Sequence, residues 1–371
     1  MLRKCFLIMV SLALACVLTA GSSFAAGKVK VGIMIPTTGG TATDGKDMES
    51  AIKLAVDEIN AAGGLLGKKI VTTTGDDACD PQQAVAAASK LISEGVVAVV
   101  GGYCSGATLP TLKLYGEANV PIVIAASNST ALVGANPGIG FMINSTGDAQ
   151  ADTAVTLFKS VGVKSIAIVH MGEAYSEDLA SIAKQKWEAA GNKVVAYEVV
   201  NKGEQDFSSL VTTIKSKKPD AVFWTAYYAE GALLIKQLRQ GGYRGTIAVG
   251  DGSNSPKLIE IAGKAAEGVY CFSNPIVDYL PAAKTFAADF KAKYKVAPGP
   301  YSTLSYDGMK LLADAVKRAG SFDADAIKKA LKATDNYEGI AGPISFTDKL
   351  TLARSNFVTL QVKDQKWKLH Q

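Results

Sequence analysis

From Lys28 onward, short runs of β-branched and other apolar residues alternate with segments whose apolar residues recur at helical spacing. Such alternation suits parallel sheets, because each parallel strand pair needs a crossover and each sheet face needs a helix to cover it. The fold class is therefore α/β. Val29–Ile35 reads as a first strand. Met48–Ala62 follows as a helix with Ile52, Ala55, Val56 and Ile59 on one face, ended by Gly63-Gly64. For the next helix Asp80 is the cap and Pro81 suits the first turn. Ala84, Val85, Ala88, Leu91 and Ile92 form its apolar stripe, and Gly95 stops it. Val96–Gly101 and Val120–Ala126 read as buried parallel strands.

A second series begins near Gly147 with a helix through Phe158. Strands are expected at Ser165–His170, Lys193–Val199, Ala221–Tyr227, Thr246–Gly250 and Gly268–Ser273, with helices at Ser176–Ala190, Asp206–Lys217 and Glu230–Gln240 between them. After Pro275 come helical patterns at Pro281–Tyr294, Tyr301–Ala319 and Asp323–Ala333, then strands at Pro343–Phe346 and Phe357–Leu369. Periodicity does not assign these late elements to either sheet.

The stretch Met1–Ala25 has Arg3 and Lys4 ahead of an apolar run, then small residues up to Ala25, the pattern of a removable secretion signal. Cys16 lacks a leucine at the third position before it, so a lipoprotein signal is the lesser reading. The mature chain of about 345 residues is longer than one core normally organises, which favours two lobes. Losing Arg3 and Lys4 lowers the formal charge from +5 to +3, with no basic block to track phosphates. No nucleic-acid partner is expected. No later apolar run reaches membrane-spanning length, so no membrane insertion of the mature chain is expected either.

Catalytic material is scarce. The only two histidines are His170 at a strand end, a structural turn residue by default, and His370 beside the C-terminus. A histidine metal cluster or a Ser-His-acid triad has too little to work with. Neither dinucleotide nor nucleoside-triphosphate loop spacing occurs, and no cofactor is called for. The turn Gly102-Tyr103-Cys104-Ser105-Gly106 lacks the nucleophile-elbow pattern.

In open parallel sheets, ligands gather beyond the carboxyl ends of strands, where helix N-termini present free N–H groups. Three such turns are rich in hydroxyls: Thr37–Gly45, Gly101–Thr108 and Ala125–Thr130. They suit a carboxylate, although any single Ser or Thr there is more often a helix cap. At strand ends of the second series stand Tyr175, Tyr227, Tyr228 and Asp251, where a carboxylate suits an ammonium. Donors facing an acceptor match a zwitterion. Export implies an oxidising compartment, and Cys79, Cys104 and Cys271 remain after cleavage, enough for one pair and one leftover. Cys271, in an apolar run, reads as a buried free thiol.

The blocks Gly75-Asp76-Asp77-Ala78-Cys79-Asp80-Pro81-Gln82-Gln83-Ala84-Val85, Gly101-Gly102-Tyr103-Cys104-Ser105 and Gly203-Glu204-Gln205-Asp206-Phe207-Ser208 resemble the branched-chain amino-acid-binding proteins of bacterial ABC importers. The likeness runs from about Lys28 to the C-terminus. It implies a type I periplasmic-binding-protein fold: two doubly wound parallel-sheet lobes joined by three hinge crossovers near Thr146, Pro275 and Lys349. Residues 26–146 plus 275–349 would form lobe 1, and 147–274 plus 350–371 lobe 2. The resemblance further implies a Cys79–Cys104 disulfide, periplasmic location, and delivery of a branched-chain or similar aliphatic amino acid to the membrane permease of an ABC importer.

Carried over by position, Ser105 would bind the ligand carboxylate and the main chain at Ala126 would help hold the amino group. Tyr175 and Tyr227 would close over the ligand, and Asp251 would pair with its ammonium. Two positions depart from the family pattern. Asn128 stands where a threonine is usual, and Asp251 where a glutamate is usual, and both bear on which side chain is preferred. The alternative is a same-fold receptor for an amide, urea or aromatic acid, serving uptake or signalling.

Overall fold

The computed structural model describes residues 27–370; the expected signal segment lies outside them. Five parallel strands, β1 (Lys28–Ile35), β2 (Lys69–Asp76), β3 (Ala98–Gly101), β4 (Ile122–Ile124) and β5 (Gly140–Met142), form one sheet in the order β2-β1-β3-β4-β5. Helices α1 (Ala42–Ala61), α2 (Pro81–Ser93), α3 (Ser105–Glu117) and α4 (Thr130–Ala135) connect them. α2 is built as its sequence predicts, with the Asp80 carboxylate accepting from the amides of Gln82 and Gln83 at 3.0 and 2.9 Å. Gly95 then takes a φ of 73°, which glycine adopts at no steric cost. Only Val85 of the expected stripe faces outward.

α5 (Gly147–Ser160) opens the second half. The second sheet has the order β14 (Lys366–Leu369), β13 (Val358–Lys363), β10 (Tyr270–Ser273), β9 (Thr246–Gly250), β8 (Ala221–Trp224), β6 (Ser165–His170), β7 (Lys193–Val199). Its parallel part contains β6, β7, β8, β9 and β10. It is covered by α5, α6 (Ala174–Ala189), α7 (Ser208–Lys217), α8 (Tyr228–Gln240) and α9 (Pro256–Ala262). Phe158 packs edge-on against Trp187, Phe223 and Phe272, each at a centroid distance of 5.8 Å, and forms the aromatic centre of one face.

The chain then returns to the first sheet. α10 (Lys284–Tyr294) and α11 (Ser302–Ala319) pack against α1, where Tyr306 Oη donates to Glu58 at 2.6 Å. α12 (Ala324–Lys332) packs on α11. The hairpin β11 (Tyr337–Gly339) and β12 (Gly342–Ile344) is tied to α11 by Asp307, which accepts from the amides of Ile340 and Ala341 at 2.9 and 2.8 Å. Finally β13 (Val358–Lys363) and β14 (Lys366–Leu369) add an antiparallel edge to the second sheet. The chain thus passes between the sheets three times, after β5, after β10 and after β12.

Several expectations are corrected. The single strand expected at 357–369 is a hairpin, turned at Asp364 and Gln365 with φ of 55° and 57°. α1 starts at Ala42, not Met48, because Asp44 and Gly45 are buried and extend the helix toward the cleft. Strands β2 and β5, and helix α3 with Pro110 inside it, carry no clean periodicity and are missed by the sequence reading.

Candidate functional site: a cleft between the two sheets

The Asp-Asp-x-Cys-Asp-Pro block resolves into separate jobs. Asp76, at the end of β2, accepts from the amides of Thr37 and Ala78 at 2.8 and 2.9 Å and so shapes the turn after β1. Asp77 accepts from the Cys79 amide at 2.8 Å. Asp80 caps α2. Ala78 and Cys79 both have positive φ, of 45° and 57°, a conformation these aspartate bonds sustain. The turn is joined covalently to the start of α3 by the Cys79–Cys104 disulfide, with Cα atoms 5.4 Å apart. Cys271 is buried and free.

Ser105, the first residue of α3, is buried, and its Oγ accepts from the amides of Asn128 and Ser129 at 3.2 Å each. The turn after β4 is therefore pinned to the N-terminus of α3, whose first amides have no partner within the helix. Across the cleft, Asp251 follows β9 and is 2 % exposed. Its Oδ1 accepts from Tyr175 Oη at 2.8 Å and Gln150 Nε2 at 3.0 Å; its Oδ2 accepts from Asn144 Nδ2 at 3.2 Å. The Asn128 amide donates to both oxygens, at 3.3 and 3.2 Å. Tyr175 Oη is itself oriented by the Gly252 amide at 3.0 Å. All these donors are neutral, and none of the ion pairs among the described residues involves Asp251. Burial pushes the Asp251 carboxyl above its ordinary range, while hydrogen bonds led by Tyr175 pull it back.

Five of the six expected residues, Ala126, Asn128, Tyr175, Tyr227 and Asp251, line one cavity together with Tyr103, Gly252 and Tyr301. Ser105 sits directly behind Asn128. The cavity measures about 10 Å³, room for about one water, so a solute of amino-acid size enters only when the sheets move apart. The Tyr227 hydroxyl is buried without a hydrogen-bond partner. The Ala126 carbonyl accepts from Asn144 Nδ2 at 2.6 Å.

Sequence reasoning missed Asn144, Gln150, Tyr103 and Tyr301 as site residues. Asn144 and Asn274 each stand just beyond a sheet strand where the chain crosses over, a placement the sequence does show. Asn274 Nδ2 donates to Asn144 Oδ1 at 2.9 Å, and Ser145 Oγ donates to Asn356 Oδ1 at 2.6 Å. All three crossings are thus tied together beside Asp251. Asn128 turns its side-chain amide toward Asp251, while its main-chain N–H donates to Ser105 Oγ.

Other bonds span the cleft: Thr130 N to Asp178 at 2.7 Å, Tyr228 Oη to the Gly40 carbonyl at 2.7 Å, and Lys202 Nζ to the Cys79 carbonyl at 3.0 Å. His170 lies outside the cavity, its Nδ1 accepting from the Gly172 amide at 3.1 Å in the turn role expected of it.

A family model described as periplasmic binding protein matches residues 28–366. The Leu/Ile/Val-binding protein homolog 1 of Brucella melitensis is 33% identical over 341 residues, covering 91% of both chains. A leucine binding protein, LivK, from Thermotoga maritima superposes with a TM-score of 0.87 at 30% identity, covering 92% of this chain and 98% of that one. The branched-chain amino acid transporter substrate binding protein LivJ from Streptococcus pneumoniae, in complex with isoleucine, gives 0.84 at 25% identity, covering 92% and 98%. The fold is the type I periplasmic-binding-protein fold. With the family model, the sequence relatives and the superposed structures in agreement, the chain belongs to the periplasmic binding protein family, as a solute-binding protein and not an enzyme.

Proposed function

We propose that this protein captures an amino acid between its two lobes in the periplasm and delivers it to the membrane permease of an ABC importer. The observation that carries the reading is Asp251: a buried carboxylate surrounded by neutral donors, with no cationic side chain paired to it. Such a charge is costly unless a cation meets it, and a ligand ammonium is the cation the site lacks. Ser105 and the N-terminus of α3 would receive the carboxylate, with Ala126 adding its main chain. Tyr175 and Tyr227 would cover the ligand, and Asn128 would move off Asp251 as the ammonium arrives.

Residues 26–146 plus 275–349 move as one lobe and 147–274 plus 350–371 as the other, hinged near Thr146, Pro275 and Lys349. Export rests on the signal pattern of Met1–Ala25. A neutral amide, urea or an aromatic acid would leave the Asp251 charge unmatched, so the amine-bearing ligand is preferred. The test is a thermal-shift screen of the common amino acids on protein refolded free of ligand. A tight binder raises the melting temperature by mass action, whereas no response to any amino acid would reject the reading.

A further inference from the structure

A second carboxylate is buried at the opposite end of the tyrosines that line the cavity. Asp44, in the first turn of α1, is 2 % exposed. Its Oδ2 accepts from Tyr103 Oη at 2.8 Å, and its Oδ1 from Ser255 Oγ across the cleft at 3.4 Å. The Tyr103 ring stands 5.9 Å from Tyr227, which stands 5.4 Å from Tyr175, the donor to Asp251. A row of three rings therefore links one buried acid to the other, with Tyr301 edge-on to Tyr103 at 5.3 Å.

Asp44, like Asp251, belongs to none of the ion pairs among the described residues. Nearby Asp47 adds negative potential, and Tyr228 adds only a neutral hydroxyl. A separate observation points the same way: Tyr227, which lines the cavity and is 6% exposed, keeps a buried hydroxyl with no partner. No side chain lining the cavity is aliphatic beyond Ala126. Tyrosine faces attract cations, and a carboxylate taken out of water attracts them more. An aliphatic side chain would instead strand Asp44 against methyl groups.

Building on the amino-acid reading above, we propose that the ligand is a basic amino acid ending in a primary amine, with its α-ammonium on Asp251 and its terminal ammonium on Asp44. Its carboxylate sits at Ser105, and its methylenes lie along the rings of Tyr103 and Tyr227. Each of the three ligand charges then has its own partner. This departs from the branched-chain ligands named for the relatives.

The experiment is titration calorimetry on the refolded full chain with lysine, ornithine, leucine and norleucine, the last matching lysine but lacking the amine. Lysine or ornithine should bind at least 30-fold tighter than norleucine, and in Asp44→Asn that ratio should fall at least tenfold. Norleucine or leucine binding as tightly as lysine would overturn the proposal, as would an Asp44→Asn ratio equal to wild type. The wild-type comparison needs no variant to fold. Binding of leucine without lysine rejects the role of Asp44 alone; binding of no amino acid rejects the underlying reading with it.

Discussion

The side-chain amide of Asn128 reaches across the cleft and donates to both carboxylate oxygens of Asp251, at 3.3 and 3.2 Å. The same residue's main-chain N–H holds Ser105 Oγ at 3.2 Å. One residue therefore joins the two walls of the cleft, and in the proposed binding mode a ligand ammonium would displace its amide to reach Asp251.

Asp251→Asn preserves shape and removes the charge. Breaking a buried ion pair costs on the order of 3 kcal/mol, so amino-acid affinity should drop about 100-fold. Calorimetry showing a change of less than threefold would remove Asp251 from the ammonium site.

Tyr175→Phe deletes the hydroxyl that donates to Asp251 and accepts from the Gly252 amide. A hydrogen bond to a charged group contributes about 1.5 kcal/mol or more, so affinity should fall roughly tenfold. Gly250→Ala should act through the same atom, because a Cβ there would stand 2.4 Å from Tyr175 Oη. If Gly250→Ala binds like wild type while Tyr175→Phe does not, the hydroxyl is not held where we place it.

Asn144→Ala removes the amide shared by the Ala126 carbonyl and Asp251, together with the acceptor for Asn274. The crossings lose a tie next to the charge. We expect weaker binding and a smaller ligand-induced compaction by small-angle scattering; unchanged compaction would uncouple the hinge from the site.

Burial pushes the carboxyls of Asp44, Asp77, Glu173 and Asp307 up to about 7, from ordinary values of 3.8 for Asp and 4.5 for Glu. Between those limits the folded chain holds more protons than the unfolded one, so stability falls as pH rises from about 4 to 7. His170, held below 6.5 by burial, acts in the opposite sense as a single group. Asp76, lowered by its hydrogen bonds, loses its contribution only as pH drops below 3.8. The ligand-free melting temperature should therefore be higher at pH 5 than at pH 8, and a steady decline from pH 8 to pH 5 would contradict this account.

The Cys79–Cys104 disulfide closes a loop across a sequence separation of 25. By the chain-entropy relation its loss costs about 3.5 kcal/mol. Replacing both cysteines with serine should lower the melting temperature by several degrees, and should also weaken binding because Cys104 leads directly into Ser105. A double variant with wild-type melting and affinity would show the staple to be dispensable.

Local rules carried much of this molecule. The alternation of apolar runs, the Asp80-Pro81 start of α2 and the glycine stops depend on residues within a turn of one another, so periodicity and capping chemistry suffice to place them. Strand ends at Tyr175, Tyr227 and Asp251 were legible for the same reason, since ligand sites in parallel sheets lie beyond carboxyl ends. The resemblance supplied the roles proposed for them and the pairing of Cys79 with Cys104. Which groups meet around Asp251 depended on crossings between sheets. Asn144, Gln150 and Asn128 reach it over more than a hundred residues of chain. By sequence Asp44 falls in the turn after the first strand, ahead of the expected helix; only the tertiary structure extends the helix over it and packs it against Tyr103 and Ser255 as a second buried acid. A hydrogen bond has no period, and sequence spacing cannot report a contact created by folding two sheets onto one cleft.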